Sequence, residues 1–196
     1  MAEKFDPAKA GKLENPERLI ELPPAKLVEL LQLTGAETVV DFGAGTGMYS
    51  LPLAEAVPFG RVYAIDELPE LLDRLRAKLE ARPPAGSVET VVSVDGRAPL
   101  EDGVAQRMLI VNVLHHVDDD PRALTEISRL LAPGGRLVAA EFAQMERPVG
   151  PPNDHVLPLD TIRGLLTGSG LTELAVYAPG TVGLYHNVIV AEKPLP

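Results

Sequence analysis

A glycine-rich loop is the first feature whose residue types and spacing could do chemistry. The β-rich run 38–42 is followed at once by three alternating glycines, Gly43, Gly45 and Gly47. Such bare backbone lets a ligand approach closely, although a tight turn without a ligand has the same composition. The dinucleotide-binding pattern places a small residue where Met48 stands. Asp41 at the start of the loop would repel a pyrophosphate and attract an ammonium or sulfonium group, so the loop favours a cation.

Two further acids follow the loop at informative positions. Asp66 lies nineteen residues past Gly47 and ends a second β-rich run, where a carboxylate can accept both hydroxyl hydrogens of an adenosine ribose. Its alternative role is an N-cap for the next helix. The spacing favours the ligand role, and Leu68 is then predicted to lie against the adenine face.

The pair Asp95-Gly96 ends a third β-rich run. Asp95 could accept a hydrogen bond from an adenine amino group, and Gly96 would let the ring come close. The same dipeptide is also a common turn signal. In the company of Asp41 and Asp66, we favour the binding interpretation.

The elements that must position these residues alternate along the chain. Apolar periodicity predicts strands at 38–42, 61–65, 88–94, 107–113, 136–142, 171–178 and 184–191. Helices are predicted at 25–33, 46–57, 68–79 and 161–166, and another opens at Asp120-Pro121. This alternation is typical of an α/β protein with a parallel sheet and right-handed crossovers. Only five residues separate the last two strands, so these must be antiparallel neighbours.

Composition sets the wider class. The 196 residues, 45% of them apolar and 23% charged, suit one globular domain. We expect residues 25–196 to form it, with the polar segment 1–24 as an appendage that closes over the site. The net charge of −10 argues against nucleic acid as the partner. The N-terminus has no signal-peptide core and no stretch is long enough for a membrane span, which predicts a cytoplasmic protein with no membrane partner. Nineteen prolines and no cysteine suggest a thermophilic source.

Five segments together resemble the class I S-adenosylmethionine-dependent methyltransferases in their order and spacing. These segments are 41–47, Asp66, Asp95-Gly96, 112–116 and 131–135, and the resemblance covers roughly residues 25–192. It implies a Rossmann-like, seven-stranded, mostly parallel sheet of order 3-2-1-4-5-7-6 with the last strand antiparallel. The opening of the chain resembles a subgroup of small bacterial and archaeal members.

The resemblance also implies a cofactor and its contacts. The cofactor would be S-adenosyl-L-methionine, with Asp41 near its methionine end, Asp66 on the ribose and Asp95 on the adenine. By the same matching, Asn112 would lie beside the methionine moiety.

Methyl transfer needs orientation, exclusion of water and sometimes a base. His115 and His116 lie just past the fourth strand, where one could be a base or could orient the acceptor, or both could only fix the loop. His155 lies in a long loop that could line the acceptor pocket, or it could be merely solvated. His186, within the last strand, is predicted to be structural. The histidines lack metal-ligand spacing, so no catalytic metal is predicted.

The acceptor is predicted by elimination to be a small molecule. Arsenite and cytosine C5 methylation rely on cysteines, which this chain lacks, and the motif of amino-group nucleic-acid methyltransferases is absent after the fourth strand. Two alternatives stay open. One is a protein that binds S-adenosylmethionine without transferring its methyl group, and the other is a nicotinamide-dependent oxidoreductase. The sequence leaves the oligomeric state open.

Overall fold

The computed structural model describes residues 7–116, 122–148 and 150–196, with the side chains of 7–9 and 116 excepted. Its centre is a seven-stranded sheet of order β3-β2-β1-β4-β5-β7-β6. The strands are β1 Thr38–Phe42, β2 Arg61–Asp66, β3 Ser87–Val92, β4 Ala105–Val111, β5 Leu131–Phe142, β6 Thr172–Tyr177 and β7 His186–Glu192.

Strand direction confirms the predicted topology. Strands β3, β2, β1, β4 and β5 are parallel neighbours, so their carboxyl ends meet at one edge of the sheet. Strand β7 runs antiparallel to both β5 and β6. The predicted fold class is therefore confirmed, including the hairpin at the end of the chain.

The helices cover both faces of the sheet. They are α1 Glu17–Glu21, α2 Pro24–Leu31, α3 Ser50–Ala56, α4 Pro69–Ala81, α5 Arg122–Leu130 and α6 Leu159–Gly168, with short 3₁₀ helices at Pro7–Glu14, Leu114–His116 and Asn153–His155. None of the helices within the described ranges has the length and apolarity needed to cross a bilayer.

Two buried apolar clusters hold the layers together. On one face, Leu27 and Leu53 from α2 and α3 pack with Val39, Val138 and related sheet residues. On the other face, residues of α5 and α6 pack against the alternate positions of the same strands. Because successive strand residues point to opposite faces, this division assigns a face to every residue of β5 and β7.

Several predicted boundaries differ from the structure by one or more residues. Helix α3 begins at Ser50 rather than Thr46, because residues 46–49 form turns that continue the glycine loop. Strand β5 begins at Leu131 rather than at the predicted residue 136, and Pro133-Gly134-Gly135 lies in a bulge within it, since Leu131 pairs with Ala105 whereas Arg136 pairs with Arg107. Strand β3 ends at Val92, before the tight turn that follows. The predicted Asp120-Pro121 helix start lies outside the described residues.

Candidate active site

The glycine loop runs from the carboxyl end of β1 to α3 and is held against its neighbours. The backbone N–H groups of Gly43 and Ala44 both donate to the carbonyl of Ile65 on β2, at 2.9 Å. Gly43, Gly45 and Gly47 all have positive φ, a conformation that glycine adopts without strain. A Cβ at Gly43 would overlap Val113 of the loop after β4. The bare backbone therefore makes room for the neighbouring loop as well as for a ligand.

Asp66 closes the loop from the end of β2. One carboxylate oxygen accepts from Gly45 N at 2.8 Å, and the other accepts from Leu68 N at 3.0 Å. The N-cap of α4 is Leu68, with no side-chain cap, so Asp66 is not the N-cap that the alternative interpretation required. A carboxylate has about four acceptor sites, so Asp66 can still accept two hydroxyl hydrogens. Burial is the main cause that raises its pKa, and the two backbone N–H donors oppose it.

Asp41 lies beneath the loop rather than at its mouth. Its side chain is only 1% exposed, and it accepts a hydrogen bond of 2.6 Å from Ser50 Oγ at the start of α3. Burial raises its pKa to about 7, which the Ser50 hydroxyl opposes and the nearby Asp66 charge reinforces. Asp41 therefore fixes the geometry of the loop and α3, and its predicted place near the methionine end stays a prediction.

Asp95 and Gly96 form the tight turn that was the alternative interpretation of this pair. Val94 and Arg97 exchange backbone hydrogen bonds of 2.9 and 3.0 Å across it, and both central residues have positive φ. This is the geometry of a type I′ turn, which Asp-Gly favours. Asp95 is exposed on it. Adenine recognition by these two residues, like the predicted packing of Leu68 on the ring, stays a prediction.

Two buried oxygen atoms beside the loop have no partner among the described residues. They are Thr46 Oγ1 in the loop and Asn112 Oδ1 at the end of β4. Asn112 adopts a positive φ and is anchored through its own N–H to the carbonyl of Ala140 at 2.9 Å. A buried acceptor without a hydrogen bond costs about 1–3 kcal/mol, which a ligand N–H or O–H would recover. These groups and the glycine cradle fit a ligand with an ammonium and hydroxyl groups, as S-adenosylmethionine has.

Glu141 near the end of β5 organises the loop after β4. One of its oxygens accepts from the N–H groups of both Val113 and Leu114 at 2.6 Å, and the other lies 2.9 Å from His115 Nδ1. Glu141 is 4% exposed, so its charge is compensated by these donors rather than by water. If Nδ1 of the neutral ring carries the hydrogen, Nε2 carries the lone pair. The side chain of His116 lies outside the described residues.

The sequence interpretation did not single out Glu141, although it organises the loop after β4. The signal was a single acid in the otherwise apolar run Leu137–Phe142, close to the carboxyl end of a central strand. Such an acid needs a partner if it is buried, and the loop after the neighbouring parallel strand is where partners lie.

The other two histidines differ strongly in their surroundings. His155 is exposed in the 3₁₀ helix after β5, and its predicted place in an acceptor pocket stays a prediction. His186 is 2% exposed, and its ring packs on Phe142 with centroids 4.3 Å apart. Both of its ring nitrogens lack a hydrogen-bond partner within the described part of the chain. Buried polar groups of folded proteins are normally hydrogen-bonded.

The N-terminal segment packs on the same edge of the sheet. A Cβ at Gly45 would lie 3.4 Å from Leu13 Cδ1, and Glu14 forms an ion pair of 2.8 Å with Lys78 of α4. Lys78 also donates to the carbonyl of Thr46 in the glycine loop at 2.8 Å. Leu22 is buried in the apolar cluster of α2 and α3. The segment thus contacts the loop directly.

A family model described as a methyltransferase domain matches residues 40–139, which include the glycine loop, Asp66 and Asn112. The chain belongs to the class I S-adenosylmethionine-dependent methyltransferases. S-adenosylmethionine is the cofactor of this family. No group of three or more His, Asp or Glu side chains in the described ranges could hold a metal ion.

Known members extend the comparison. A crystal structure described as a SAM-dependent methyltransferase from Aquifex aeolicus is 29% identical, covers 97% of this chain and 100% of its own, and superposes with a TM-score of 0.89. A protein-L-isoaspartate O-methyltransferase of Aeropyrum pernix is 36% identical over 68% of this chain, and a demethylmenaquinone methyltransferase of Thermus thermophilus is 35% identical over 60%. The chain spans only 46% and 52% of the lengths of these two relatives.

Proposed function

We propose that this protein transfers the methyl group of S-adenosylmethionine to a small-molecule acceptor. The observation that carries the proposal is a pair of buried oxygens, Thr46 Oγ1 and Asn112 Oδ1, that lack a hydrogen-bond partner among the described residues and lie at the glycine loop that Asp66 closes. The names of these two relatives refer to an isoaspartate in protein and to a quinone, so similarity to them does not identify the acceptor of this protein.

In this proposal one group of residues binds the adenosine end of the cofactor and another binds its methionine end. Asp66 accepts from the ribose hydroxyls, because two of its acceptor sites are not used by Gly45 and Leu68. Asn112 accepts from the ammonium group, and Asp95 and Gly96 meet the adenine. When bound, the cofactor supplies a methyl group already activated by a positively charged sulfur.

We assign the loop after β4 to the acceptor. Glu141 holds the backbone of Val113 and Leu114 and orients the ring of His115. In the tautomer with hydrogen on Nδ1, Nε2 of His115 accepts the proton that the acceptor loses. A base on this loop would lie beside Asn112, and so close to the methionine end of the cofactor. His116 is the second candidate from the sequence.

The N-terminal segment completes the proposal as a cover. Leu13 lies on the glycine loop, and the Glu14–Lys78 pair ties the segment to α4. Deletion of residues 1–21 is therefore expected to weaken S-adenosylhomocysteine binding. It is also expected to expose the reacting groups to solvent, which would be measured as a lower kcat. Unchanged affinity and unchanged kcat in the deleted protein would contradict the role of a cover.

A labelled-methyl screen tests the transfer itself. Purified protein is incubated with S-adenosylmethionine carrying a tritiated methyl group and with pools of small phenols, carboxylic acids, thiols and amines. We expect label in one pool, and we expect His115→Gln to lower kcat by about 100-fold or more with an unchanged affinity for S-adenosylhomocysteine. Glu80→Gln on the exposed face of α4 is the control and should leave kcat unchanged.

The outcomes separate the two remaining interpretations. Binding of S-adenosylmethionine with no transfer to any pool would favour a binding protein without transferase activity. Full activity in His115→Gln would assign His115 to loop fixing alone.

The proposals on localisation, source and partners rest on the amino-acid composition. We expect a cytoplasmic protein of a thermophilic source that binds neither nucleic acid nor membrane, on the proline content, the lack of cysteine and the net charge of −10. A melting temperature typical of mesophiles would remove the thermophilic assignment.

A further inference from the structure

A second set of unpartnered polar groups lies at the carboxyl edge of the sheet, around His186. His186 stands opposite Phe142 in the antiparallel pair of β7 and β5, so the two rings share one face. That face is the one on which Val138 and Val188 pack with Leu22, whereas Glu141 points to the other. His186 is therefore separate from the Glu141–His115 pair, although it lies at the same edge.

Arg147 is the second member of the set. Its guanidinium lies 5.0 Å from the centre of the Phe142 ring. The same phenyl ring packs on the ring of His186. It donates to the carbonyls of Ala143 and Met145 and to Asn153 Oδ1, so it holds the loop after β5 in place. Its Nε–H is nevertheless buried and unpartnered among the described residues.

Charge distinguishes this set from the rest of an acidic protein. The pKa of His186 is lowered to about 3, mainly by burial and also by the charges of Arg18 and Arg147. The imidazole is therefore neutral near pH 7 and offers one donor and one acceptor. Within the described ranges no carboxylate lies within ion-pair distance of Arg18 or Arg147. Two cations thus lie near a buried imidazole. The carboxylate of Glu21 interacts with Arg18 from beyond ion-pair distance, since burial raises the pKa of Glu21 and the charge of Arg18 opposes this, whereas Arg147 has no carboxylate within ion-pair distance among the described residues.

The position of the set points to the acceptor rather than the cofactor. Strand β7 is three places from β1 in the order β1-β4-β5-β7, which at about 4.8 Å a strand is about 14 Å from the glycine loop. Asp66 on β2 lies on the opposite side of β1. A cofactor held by Asp66 and Asn112 would span β2 to β4, and His186 and Arg147 lie beyond it along the same edge.

We propose that this set binds an anionic group of the methyl acceptor, so that the substrate is a small organic acid. Arg147 Nε–H and the His186 ring N–H donate to the anion, and Arg18 supplies a second positive charge. The identification of the ligand as the methyl acceptor rests on the proposed function, whereas the preference for an anion does not.

Matched ligand pairs test the preference. Protein saturated with S-adenosylhomocysteine is titrated by calorimetry with benzoate, 4-hydroxybenzoate and hexanoate, each compared with its uncharged amide. At least one acid should bind about tenfold or more tightly than its amide. Arg18→Gln and His186→Phe should each remove most of that preference, and Arg82→Gln, which removes an exposed charge elsewhere, should leave it unchanged.

The His186→Phe variant also separates binding from folding. A phenyl ring keeps the packing on Phe142 and needs no hydrogen-bond partner, so its melting temperature should equal or exceed that of the wild type. A residue kept for structure alone would give lower stability and unchanged acid binding. Arg18 is half-buried on α1, so its glutamine variant provides an independent test should the core substitution fail to fold.

Each remaining outcome is decisive. No acid bound better than its amide, or a preference that survives both substitutions, would overturn the proposal. Weaker S-adenosylhomocysteine binding in His186→Phe would also overturn it, because the anion would then be the cofactor's own carboxylate. Acid-selective binding without methyl transfer would contradict the proposed function while the anion site stands.

Discussion

The buried carboxyl group of Asp41 makes the stability of the protein depend on pH in a calculable way. Burial raises its pKa to about 7 in the folded chain, although Ser50 opposes this, and the nearby Asp66 charge adds to it. The unfolded chain keeps an ordinary value near 4. Below that value both states hold the proton, and this group contributes no pH dependence.

The sign follows from which state loses its proton first. Between about pH 4 and pH 7 the unfolded state releases its proton while the folded state keeps it, so stability falls as pH rises. Above about pH 7 both states are ionised and the slope ends. From about pH 5 to about pH 8 the loss is of the order of 3 kcal/mol. Asp41→Asn cannot ionise, yet its amide oxygen can still accept from Ser50.

Urea unfolding followed by circular dichroism at about pH 5 and about pH 8 checks this. We expect Asp41→Asn to gain about 3 kcal/mol relative to the wild type between the two pH values. Asp154→Asn, which removes an exposed carboxylate, should follow the wild type at both. A constant difference between Asp41→Asn and the wild type would refute the reasoning, because Asp41 would then be ionised in the folded state throughout.

Two substitutions test the packing that supports the site. Gly47→Ala introduces a Cβ that overlaps Leu75 at a positive φ, so urea unfolding should show a loss of about 2 kcal/mol or more. Gly164→Ala in α6 meets no atom within 4 Å and should stabilise by up to about 1 kcal/mol; equal effects of the two alanines would contradict this. Arg129→Met leaves the buried Glu126 without its 2.6 Å ion pair, and we expect a loss of about 3 kcal/mol at pH 7. Stability within experimental error of the wild type would show that water or relaxation compensates Glu126.

The fold could be predicted because its signals are local. Apolar runs such as Thr38–Phe42 have the length and β-branched content of buried parallel strands, and the structure reproduces those bounds. The predicted connection of five residues between the last two strands allows only an antiparallel hairpin, and β6 and β7 pair in that way. The glycine loop was predictable because its positive φ values require glycine.

The organisation of the site could not be predicted in the same way, because it depends on which loops the sheet brings together. Glu141 and His115 are 26 residues apart, and only the parallel pairing of β4 and β5 puts their side chains 2.9 Å from each other. The same holds for Leu13 above Gly45, since nothing in the polar N-terminal segment specifies where it packs. His186 shows a further limit, because a histidine in an apolar strand is equally typical of a core and of a buried ligand site.

Cofactor binding is the measurement that tests the central claim most directly. Calorimetric titration with S-adenosylhomocysteine, NAD and NADP should show binding of the adenosyl ligand alone. Asp66→Asn, which replaces one acceptor oxygen by a donor, and Asn112→Gly, which keeps the positive φ without the amide, should each weaken that binding by about 10- to 100-fold. Asp73→Asn on the exposed face of α4 should not. Binding of a nicotinamide dinucleotide in place of the adenosyl ligand, or affinity unaffected by both site substitutions, would contradict the account.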